Sequence, residues 1–269
     1  MKIFLNKKEL EKFADSKKSL GFVPTMGAIH SGHISLIRRS LKECNKTIVS
    51  IFINKQQFNN KKDFIKYPRI LKKDIRKLAK FKIDYLYLPK HKDIYPTGYN
   101  KKIKINKFKK KLCGRFRPMH FEAIADVIDR FIKIINPDKI YFGEKDFQQL
   151  KIIEDFVRKN HPKCKIVSCK TIREKNGIAY SSRNILLNNN QKEIASNVFN
   201  LIKKNKKNLI NNKISAIKIK KIIYSLSVKK IDYIEILNIN KIIKPFKKKI
   251  KYRIFFAYYL GSTRLIDNI

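Results

Sequence analysis

The sequence predicts an α/β protein in which a doubly wound parallel sheet is followed by a smaller α+β domain. Apolar, β-branched runs alternate with segments of helical periodicity through the first part of the chain, as in βαβ units. The run at 47–53 is apolar nearly throughout, which is typical of a parallel strand buried on both faces. Beyond Asn184 the composition changes, and lysine-rich amphipathic helices precede further strands. We therefore expect domains at residues 1–171 and 172–269.

Length and composition are those of a globular chain. It has 269 residues, of which 43% are hydrophobic, and a chain of this size can bury a substantial core. No run approaches the roughly 18 apolar residues that a membrane-spanning helix needs. The first nine residues lack the long apolar run and the cleavage site of a secretory signal. The four cysteines form no Cys-x-x-Cys pair. These features predict a cytoplasmic protein with no membrane partner, and no zinc or redox motif.

The formal net charge of +43 is extreme. Such a charge favours nucleic acid or an anionic membrane as partner when it is concentrated on one face with interleaved aromatic residues. Here the lysines are spread over the whole length, among many isoleucine and asparagine residues. General compositional drift therefore explains the charge better than a specific nucleic-acid surface. Small anionic substrates would be attracted in either case.

The first elements are a short amphipathic segment, a strand, a tight turn and a helix. The amphipathic segment lies within residues 1–18 and carries Leu10, Phe13 and Ala14. The apolar run 20–23 is the first predicted strand, and Pro24 and Gly27 end it. After His33, apolar residues return at helical spacing, namely Ile34, Ile37 and Leu41.

The turn at 23–33 is the stretch with the clearest chemical potential. A strand-to-helix turn aims free backbone N–H groups and the positive helix end at an anion. His30 and His33 are three residues apart and share one face of the helix start. Gly32 between them has no side chain to keep a phosphate or an adenine at a distance. An ordinary βα turn with two surface histidines fits the same spacing, so both interpretations remain open here.

Polar residues also follow the strand at 47–53. Asn54 and Gln57 lie at its carboxyl end, where open α/β sheets bind ligands, although ordinary loop capping fits equally well. Further on, a helix that opens at Pro68 is expected to direct three apolar residues inward, Leu71, Ile75 and Leu78. A strand spans 83–88, and the lysine-rich stretch 100–111 is expected to be an exposed strand or flap.

Lys145 lies in a second strand-to-helix turn, Gly143–Asp146, after a strand at 139–142. A lysine in such a turn is costly to desolvate unless it meets an anion, so Lys145 is a phosphate candidate. Before this strand a helix carries an apolar stripe over 124–135, with His120 at its start as a capping or packing residue.

The remaining elements begin with a strand at 165–168 and a turn at Asn176-Gly177. Residues 180–184 then offer hydroxyl and guanidinium donors for a polyphosphate, or a helix cap. Helices at 194–209 and 214–226 and strands at 231–237 and 252–260 complete the chain.

The turn Pro24–His33, with sequence PTMGAIHSGH, resembles the His-x-Gly-His signature of the adenylyl-transferring superfamily, and in this longer form the pantothenate synthetase (pantoate–β-alanine ligase) family. Further motifs of that family follow in order along nearly the whole chain. They are Ser50–Asn54 with Gln57–Phe58, Asp63–Phe64 with Tyr67–Arg69, Arg117–Pro118 with His120–Phe121, Tyr141–Asp146 with Gln148–Leu150, Ser181–Asn184 and Thr263–Asn268. One such motif is weak support, whereas this many in register make the resemblance strong.

The resemblance implies a Rossmann-like domain with a smaller C-terminal lid, in a homodimer that uses Mg2+. The implied reaction condenses pantoate with β-alanine, consumes ATP, passes through a pantoyl-adenylate, and yields pantothenate, AMP and diphosphate.

By position in the family motifs, the ATP-binding residues would be Met26, Gly27, Ala28, Ile29, His30, Ser31, Gly32, His33, Gly143, Glu144, Lys145, Asp146, Ile172, Tyr180, Ser181, Ser182 and Arg183. The catalytic groups would be His33, His30, Lys145, Ser181, Ser182 and Arg183. Gln57 would contact both pantoate and β-alanine, and Gln149 and Asn54 would contact pantoate. No residue is assigned as a metal ligand.

The chain departs from the family pattern at four positions. Lys55 stands where proline is usual, which predicts a less rigid loop around Gln57. Met119 and Ala123 replace glycines, and Met119 would be strained if that position has a positive φ. Tyr180 stands where a smaller apolar residue is commoner.

Three alternative functions fit parts of the sequence. Another adenylyl or cytidylyl transferase would share the His-x-Gly-His turn, but Gln57, Gln149 and the turn at 143–146 disfavour it. A basic nucleic-acid-binding module would show affinity that falls steeply with salt. A degenerate, inactive relative is disfavoured because every catalytic-type position is filled.

Overall fold

The structure is a computed structural model that describes residues 1–11, 18–243, 245–246 and 248–269. Its strands are β1 (Lys2–Phe4), β2 (Leu20–Thr25), β3 (Lys46–Ile51), β4 (Tyr85–Tyr87), β5 (Lys139–Gly143), β6 (Lys165–Cys169), β7 (Lys230–Asn238), β8 (Tyr252–Leu260) and β9 (Thr263–Asn268). Its α-helices are α1 (Lys7–Glu11), α2 (Ser31–Glu43), α3 (Lys61–Lys66), α4 (Leu71–Ala79), α5 (His91–Ile94), α6 (Cys113–Phe116), α7 (His120–Ile135), α8 (Phe147–Asn160), α9 (Asn189–Lys204), α10 (Lys206–Ile210) and α11 (Ala216–Ser225). Short 3-10 helices cover Lys55–Gln57, Lys107–Lys110, Glu144–Asp146, Ser182–Leu186 and Ile239–Lys241.

Six strands form one parallel sheet in the order β1-β4-β3-β2-β5-β6. From β2 the chain winds through β3 to β4 on one side and through β5 to β6 on the other. This change of direction leaves a crevice at the carboxyl ends of β2 and β5, where doubly wound sheets bind ligands. The predicted doubly wound parallel sheet is confirmed.

The sheet is covered on both faces, which explains its continuous apolar strands. Successive residues of a strand point to opposite faces. Phe22 packs in a cluster with residues of α7 and α8, whereas its neighbour Val23 packs in another cluster with residues of α2 and α4. None of the helices in the described ranges is long and apolar enough to span a membrane.

The C-terminal part forms a separate antiparallel sheet in the order β7-β8-β9. Its outer cluster consists of residues from Ile178 onwards and includes Val198 of α9, Ile219 of α11 and Ile254 of β8. The other side of the same sheet contributes Tyr233 and Phe255 to the core of the parallel sheet. The predicted smaller α+β part is therefore confirmed.

Several element predictions are wrong. β1 was missed because it has only three residues and pairs with β4 alone, and β9 was recognised as a motif but not as a strand. Of the two alternatives for residues 100–111, the strand is wrong, because the stretch contains the 3-10 helix Lys107–Lys110 and no strand. Leu71 is 44% exposed rather than inward. The single helix expected at 194–209 is divided into α9 and α10. Phe13 and Ala14 of the predicted amphipathic segment lie outside the described residues.

Candidate active site

The carboxyl ends of β2 and β5 open into a cavity of about 470 Å3, which residues of the C-terminal part line from the other side. This volume is in the range of small-molecule sites. The sequence-predicted residues that line it are Met26, His30, Gly32, His33, Asn54, Gln57, Gly143, Lys145, Asp146, Gln149, Ile172, Tyr180, Ser181, Ser182 and Arg183. The predicted residues outside its lining are Gly27, Ala28, Ile29, Ser31 and Glu144. Distant stretches of the sequence therefore meet in one cavity.

The two histidines of the first turn stack on each other at the start of α2. Their ring centroids lie 3.9 Å apart with 23° between the planes. A Cβ atom at position 32 would lie 2.9 Å from the His30 ring, so Gly32 makes room for its neighbour's imidazole. The ring of Tyr180 lies nearly parallel to that of His30, at 15° and 6.3 Å between centroids.

Both histidines are neutral at pH 7. Burial lowers the pKa of His30 to about 2, and the charges of His33, Lys145 and Lys77 add to the effect. Burial also lowers the pKa of His33 to about 4, although the nearby Asp146 carboxylate opposes this shift. The two rings can therefore act as hydrogen-bonding groups but not as cations.

The hydrogen bonds of His33 indicate which ring nitrogen carries its proton. The backbone N–H of His30 points to His33 Nδ1 at 3.4 Å. Because Nδ1 accepts this hydrogen bond, the proton of the neutral ring is assigned to Nε2. His33 is thus a neutral donor through Nε2 in a cavity-lining position.

The backbone of the first turn differs from the sequence prediction. The buried Asp74 carboxylate of α4 accepts hydrogen bonds from the N–H groups of Ala28 at 2.8 Å and Ile29 at 2.7 Å. The prediction that these N–H groups are free for an anion is therefore wrong. Side chains of the cavity, rather than these two amides, are the donors available to a phosphate.

Lys145 lies in the 3-10 helix Glu144–Asp146, between β5 and α8. Its side chain is only 19% exposed, and its Nζ is 3.4 Å from Asp146 Oδ1. The terminal strand β9, in the C-terminal antiparallel sheet, holds this turn. The buried amide of Asn268 donates to the carbonyl oxygens of Glu144 at 3.0 Å and Lys145 at 2.8 Å, and Arg253 pairs with Glu144 at 3.0 Å.

Arg183 forms a two-pronged ion pair with Asp63 of α3, at 3.2 Å from Nε and 2.8 Å from Nη2. Burial opposes the charge of Arg183, but the hydrogen bonds and charge of Asp63 prevail and raise its pKa. Ser181 caps the following 3-10 helix by accepting the Arg183 N–H, which matches the cap interpretation of this motif. Ser182 Oγ lies 3.4 Å from the carbonyl oxygens of Gly27 and Ala28.

Gln57 ends the 3-10 helix Lys55–Gln57, and its backbone is anchored despite the lysine at position 55. Its carbonyl oxygen accepts hydrogen bonds from Arg117 Nη2 at 2.9 Å and from His120 Nδ1 at 2.7 Å. Burial, followed by the charge of Arg117, holds the pKa of His120 well below its usual range. The side-chain amide of Gln57 reaches Met26 Sδ at 2.9 Å.

The two other residues predicted to bind pantoate, Asn54 and Gln149, differ in their hydrogen bonding. Asn54 is buried, accepts from Tyr95 at 3.1 Å and donates to the Ala123 carbonyl at 3.1 Å. Gln149 lines the cavity and has no side-chain hydrogen bond within the described part of the chain. Met119 has φ +60°, so the strain expected for a non-glycine residue at this position is confirmed.

Sequence reasoning missed the roles of Asp63, Asp74, Arg117 and Asn268 as supports of the site. One signal was available for Asp74, because it lies four residues before the core residue Leu78 and so shares its helix face. An acidic residue on an apolar face is costly to bury without a partner. Asp63, Arg117 and Asn268 belong to the family motifs quoted above, but their contacts were not predicted, because their partners are distant in sequence.

The doubly wound α/β fold, with the turn His30–His33 at its crevice, places the chain in the His-x-Gly-His class. The Pantoate-beta-alanine ligase family model matches residues 2–269. A pantothenate synthetase of Sulfurihydrogenibium sp. is 40% identical, over 94% of this chain and 92% of that protein. One of Endomicrobium trichonymphae is also 40% identical, over 100% of this chain and 97% of that protein. The chain belongs to the pantoate-beta-alanine ligase family.

Two solved structures of this family have the same fold. The pantoate-beta-alanine ligase from Francisella tularensis, complexed with beta-gamma ATP and beta-alanine, has a TM-score of 0.88 and 36% identity. The match covers 100% of this chain and 97% of that one. Pantothenate synthetase from Thermus thermophilus also has a TM-score of 0.88, with 28% identity, and covers 100% and 99%.

Proposed function

We propose that the cavity between the two parts of the chain is where pantoate is activated by ATP and then joined to β-alanine. As a member of its family the chain is a ligase, and its reaction is the ATP-dependent condensation of pantoate with β-alanine. One observation carries the assignment to this cavity. His30, His33 and Lys145 line the same cavity as Gln57 and Gln149. Side chains that can donate hydrogen bonds to phosphate therefore share one pocket with uncharged amides.

In the first proposed step, the pantoate carboxylate attacks the α-phosphate of ATP and diphosphate leaves. Two anions approach each other, so donors that strengthen as charge develops lower the barrier most. His33 donates through Nε2 as a neutral ring, while Lys145 and Arg183 supply positive charge. Ser181 and Ser182 add hydroxyl groups, and His30, which stacks on His33, would also act at the phosphates. No side-chain nucleophile is needed, because positioning and charge stabilisation supply the acceleration.

In the second proposed step, the neutral amine of β-alanine attacks the acyl carbon of pantoyl-adenylate and AMP leaves. Gln57 and Gln149 hold the substrates through uncharged amides, and Asn54 supports Gln57 from within hydrogen-bonding reach at 3.4 Å. The C-terminal part covers the cavity and protects the mixed anhydride from water. Met26 and Ile172 also line the cavity, and we propose that they contact the nucleotide.

Mg2+ fits this site as a companion of the nucleotide. Within the described ranges, no three His, Cys, Asp or Glu side chains come together as metal ligands. Mg2+ commonly binds through one or two carboxylates and substrate phosphates, and Asp146 is the cavity-lining carboxylate next to Lys145. Asp146 would therefore hold the ion, which would neutralise phosphate charge when bound.

We also propose that the protein is a homodimer, as the family resemblance implies.

The cytoplasm is the proposed location, supported by four free cysteines. The proposed domains are residues 1–171 and 172–269. The outer C-terminal cluster, which begins at Ile178, supports that division.

Product formation tests the function directly. The protein is incubated with ATP, pantoate and β-alanine, each is omitted in turn, and pantothenate and AMP are measured. Pantoate-dependent ATP–diphosphate exchange separates this ligase from another adenylyl transferase. His33→Ala should slow turnover by about 10²-fold, as for loss of one preorganised donor, and Lys145→Ala at least as much. Lys203→Ala, on the surface of α9, is the silent control. A change below about threefold for His33→Ala would remove it from the mechanism.

A further inference from the structure

Two side chains of helix α4 form hydrogen bonds with the backbone of the turn between β2 and α2. Asp74, which is 2% exposed, accepts the N–H groups of Ala28 and Ile29 at 2.8 and 2.7 Å. One helical turn further along, Lys77 Nζ donates to the carbonyl oxygen of Ile29 at 2.8 Å. These contacts act on the two residues that immediately precede His30.

The turn that these contacts hold is in an unusual conformation. Gly27 has φ +79° and Ala28 has φ +49°. A left-handed conformation costs a non-glycine residue about 1–2 kcal/mol, so the surroundings have to maintain it at Ala28. A Cβ atom at position 27 would lie 3.0 Å from Asp74 Oδ2, so glycine also allows the close approach of this carboxylate. Charge-assisted hydrogen bonds to a carboxylate are strong enough to compensate this strain.

We propose that Asp74 is a positioning residue that holds residues 27–29 in the conformation that directs His30 and His33 into the cavity. The His30 ring follows Ile29 directly, and His33 stacks on it at 3.9 Å. A shift of the turn therefore moves both imidazoles together. This inference rests on the proposed role of the two histidines at the phosphates. It also separates the carboxylate from catalysis itself, since Asp74 does not line the main cavity.

The Asp74→Asn variant tests this role with almost no change in volume. The asparagine side chain keeps one acceptor oxygen for one of the two backbone N–H groups of Ala28 and Ile29, but it places its NH2 group against the other. Two readouts are measured, amide hydrogen exchange and steady-state kinetics. We expect exchange at Ala28 and Ile29 to accelerate by at least about tenfold, as for a tether lost from a local segment. We expect kcat for pantoate activation to fall by about 10–100-fold, because a displacement of about 1 Å is worth that much.

Asp84→Asn is the matched control. Asp84 likewise accepts a backbone N–H, from Thr47 at 2.9 Å, and in addition the ammonium of Lys46 at 2.7 Å. It lies beside the amino-terminal end of β3 and does not line the cavity. A merely structural role for Asp74 predicts that Asp74→Asn, like Asp84→Asn, changes stability but keeps the parent kcat. The positioning role predicts a loss of kcat in Asp74→Asn alone, with the KM for β-alanine changed less than twofold.

Two outcomes would overturn the inference. One is accelerated exchange at Ala28 and Ile29 with kcat within twofold of the parent protein. The other is unchanged exchange at both amides. If Asp74→Asn does not fold, Lys77→Met removes the other tether, at an exposed position, and should accelerate exchange at the same turn. Hydrogen exchange does not depend on turnover, so a parent protein without ligase activity would refute the proposed function and leave the tether testable.

Discussion

Removing the amide of Asn268 tests whether the C-terminal sheet positions Lys145. Asn268 is 5% exposed and donates to the carbonyl oxygens of Glu144 and Lys145 at 3.0 and 2.8 Å. It also accepts a hydrogen bond from Arg253 Nη1 at 2.8 Å. Each lost hydrogen bond removes about 1 kcal/mol, so Asn268→Ala should loosen the turn by about 2 kcal/mol. If Lys145 moves by about 1 Å as a result, activity falls by up to about 10²-fold.

The assay is pantothenate formation at varied ATP, with thermal unfolding measured in parallel. Asn268→Asp should be slower than Asn268→Ala, because it places carboxylate oxygens against two carbonyl oxygens while keeping an acceptor for Arg253. Asn240→Ala is the control, since that amide also donates to a backbone carbonyl, of Lys249 at 2.5 Å, away from the cavity. The reasoning is refuted if Asn268→Ala stays within twofold of the parent kcat and is destabilised no more than Asn240→Ala.

Two further predictions follow from charge. In the folded protein the pKa of His33 is about 4, below the ordinary value of 6.5. The neutral His33 ring therefore makes its full contribution to the free energy of unfolding above pH 6.5, and this contribution is lost as the pH falls towards 4. Between pH 7 and 5, the parent should therefore lose about 2 kcal/mol more unfolding free energy than His33→Gln; equal pH dependence in denaturant titrations would contradict this. Arg183→Lys keeps the charge but loses the two-pronged geometry towards Asp63, and should lower kcat/KM for ATP about tenfold. An effect below twofold in initial-rate assays would show that this geometry is not needed.

The regular part of the fold follows from local patterns. Strands such as β3 are apolar on both sides because helices cover both faces of the sheet, so their sequence alone indicates a parallel strand. The turn that carries Lys145 could be placed because a strand, a glycine and a helix follow one another directly. Because Met119 replaces a family glycine, strain was expected there if its φ is positive, and its φ of +60° meets that condition.

The partners of the supporting residues could not be predicted in this way. Asp74 and Ala28 are 46 residues apart in sequence, and Arg183 and Asp63 are 120 residues apart. These partners meet only through the tertiary structure, and spacing along one element carries no information about them. The prediction of free amides in the first turn failed for this reason, since a carboxylate from α4 occupies them. β1 escaped detection because three residues give no periodicity.

A crystal structure of the protein with a non-hydrolysable ATP analogue would test the central claim most directly. The claim is that His30, His33 and Lys145, from two strand-to-helix turns, act on one triphosphate. It predicts that His33 Nε2 and Lys145 Nζ lie within about 3 Å of phosphate oxygens, while Asp74 still accepts the amides of Ala28 and Ile29. A triphosphate bound to those two amides, with both side chains turned away, would contradict it.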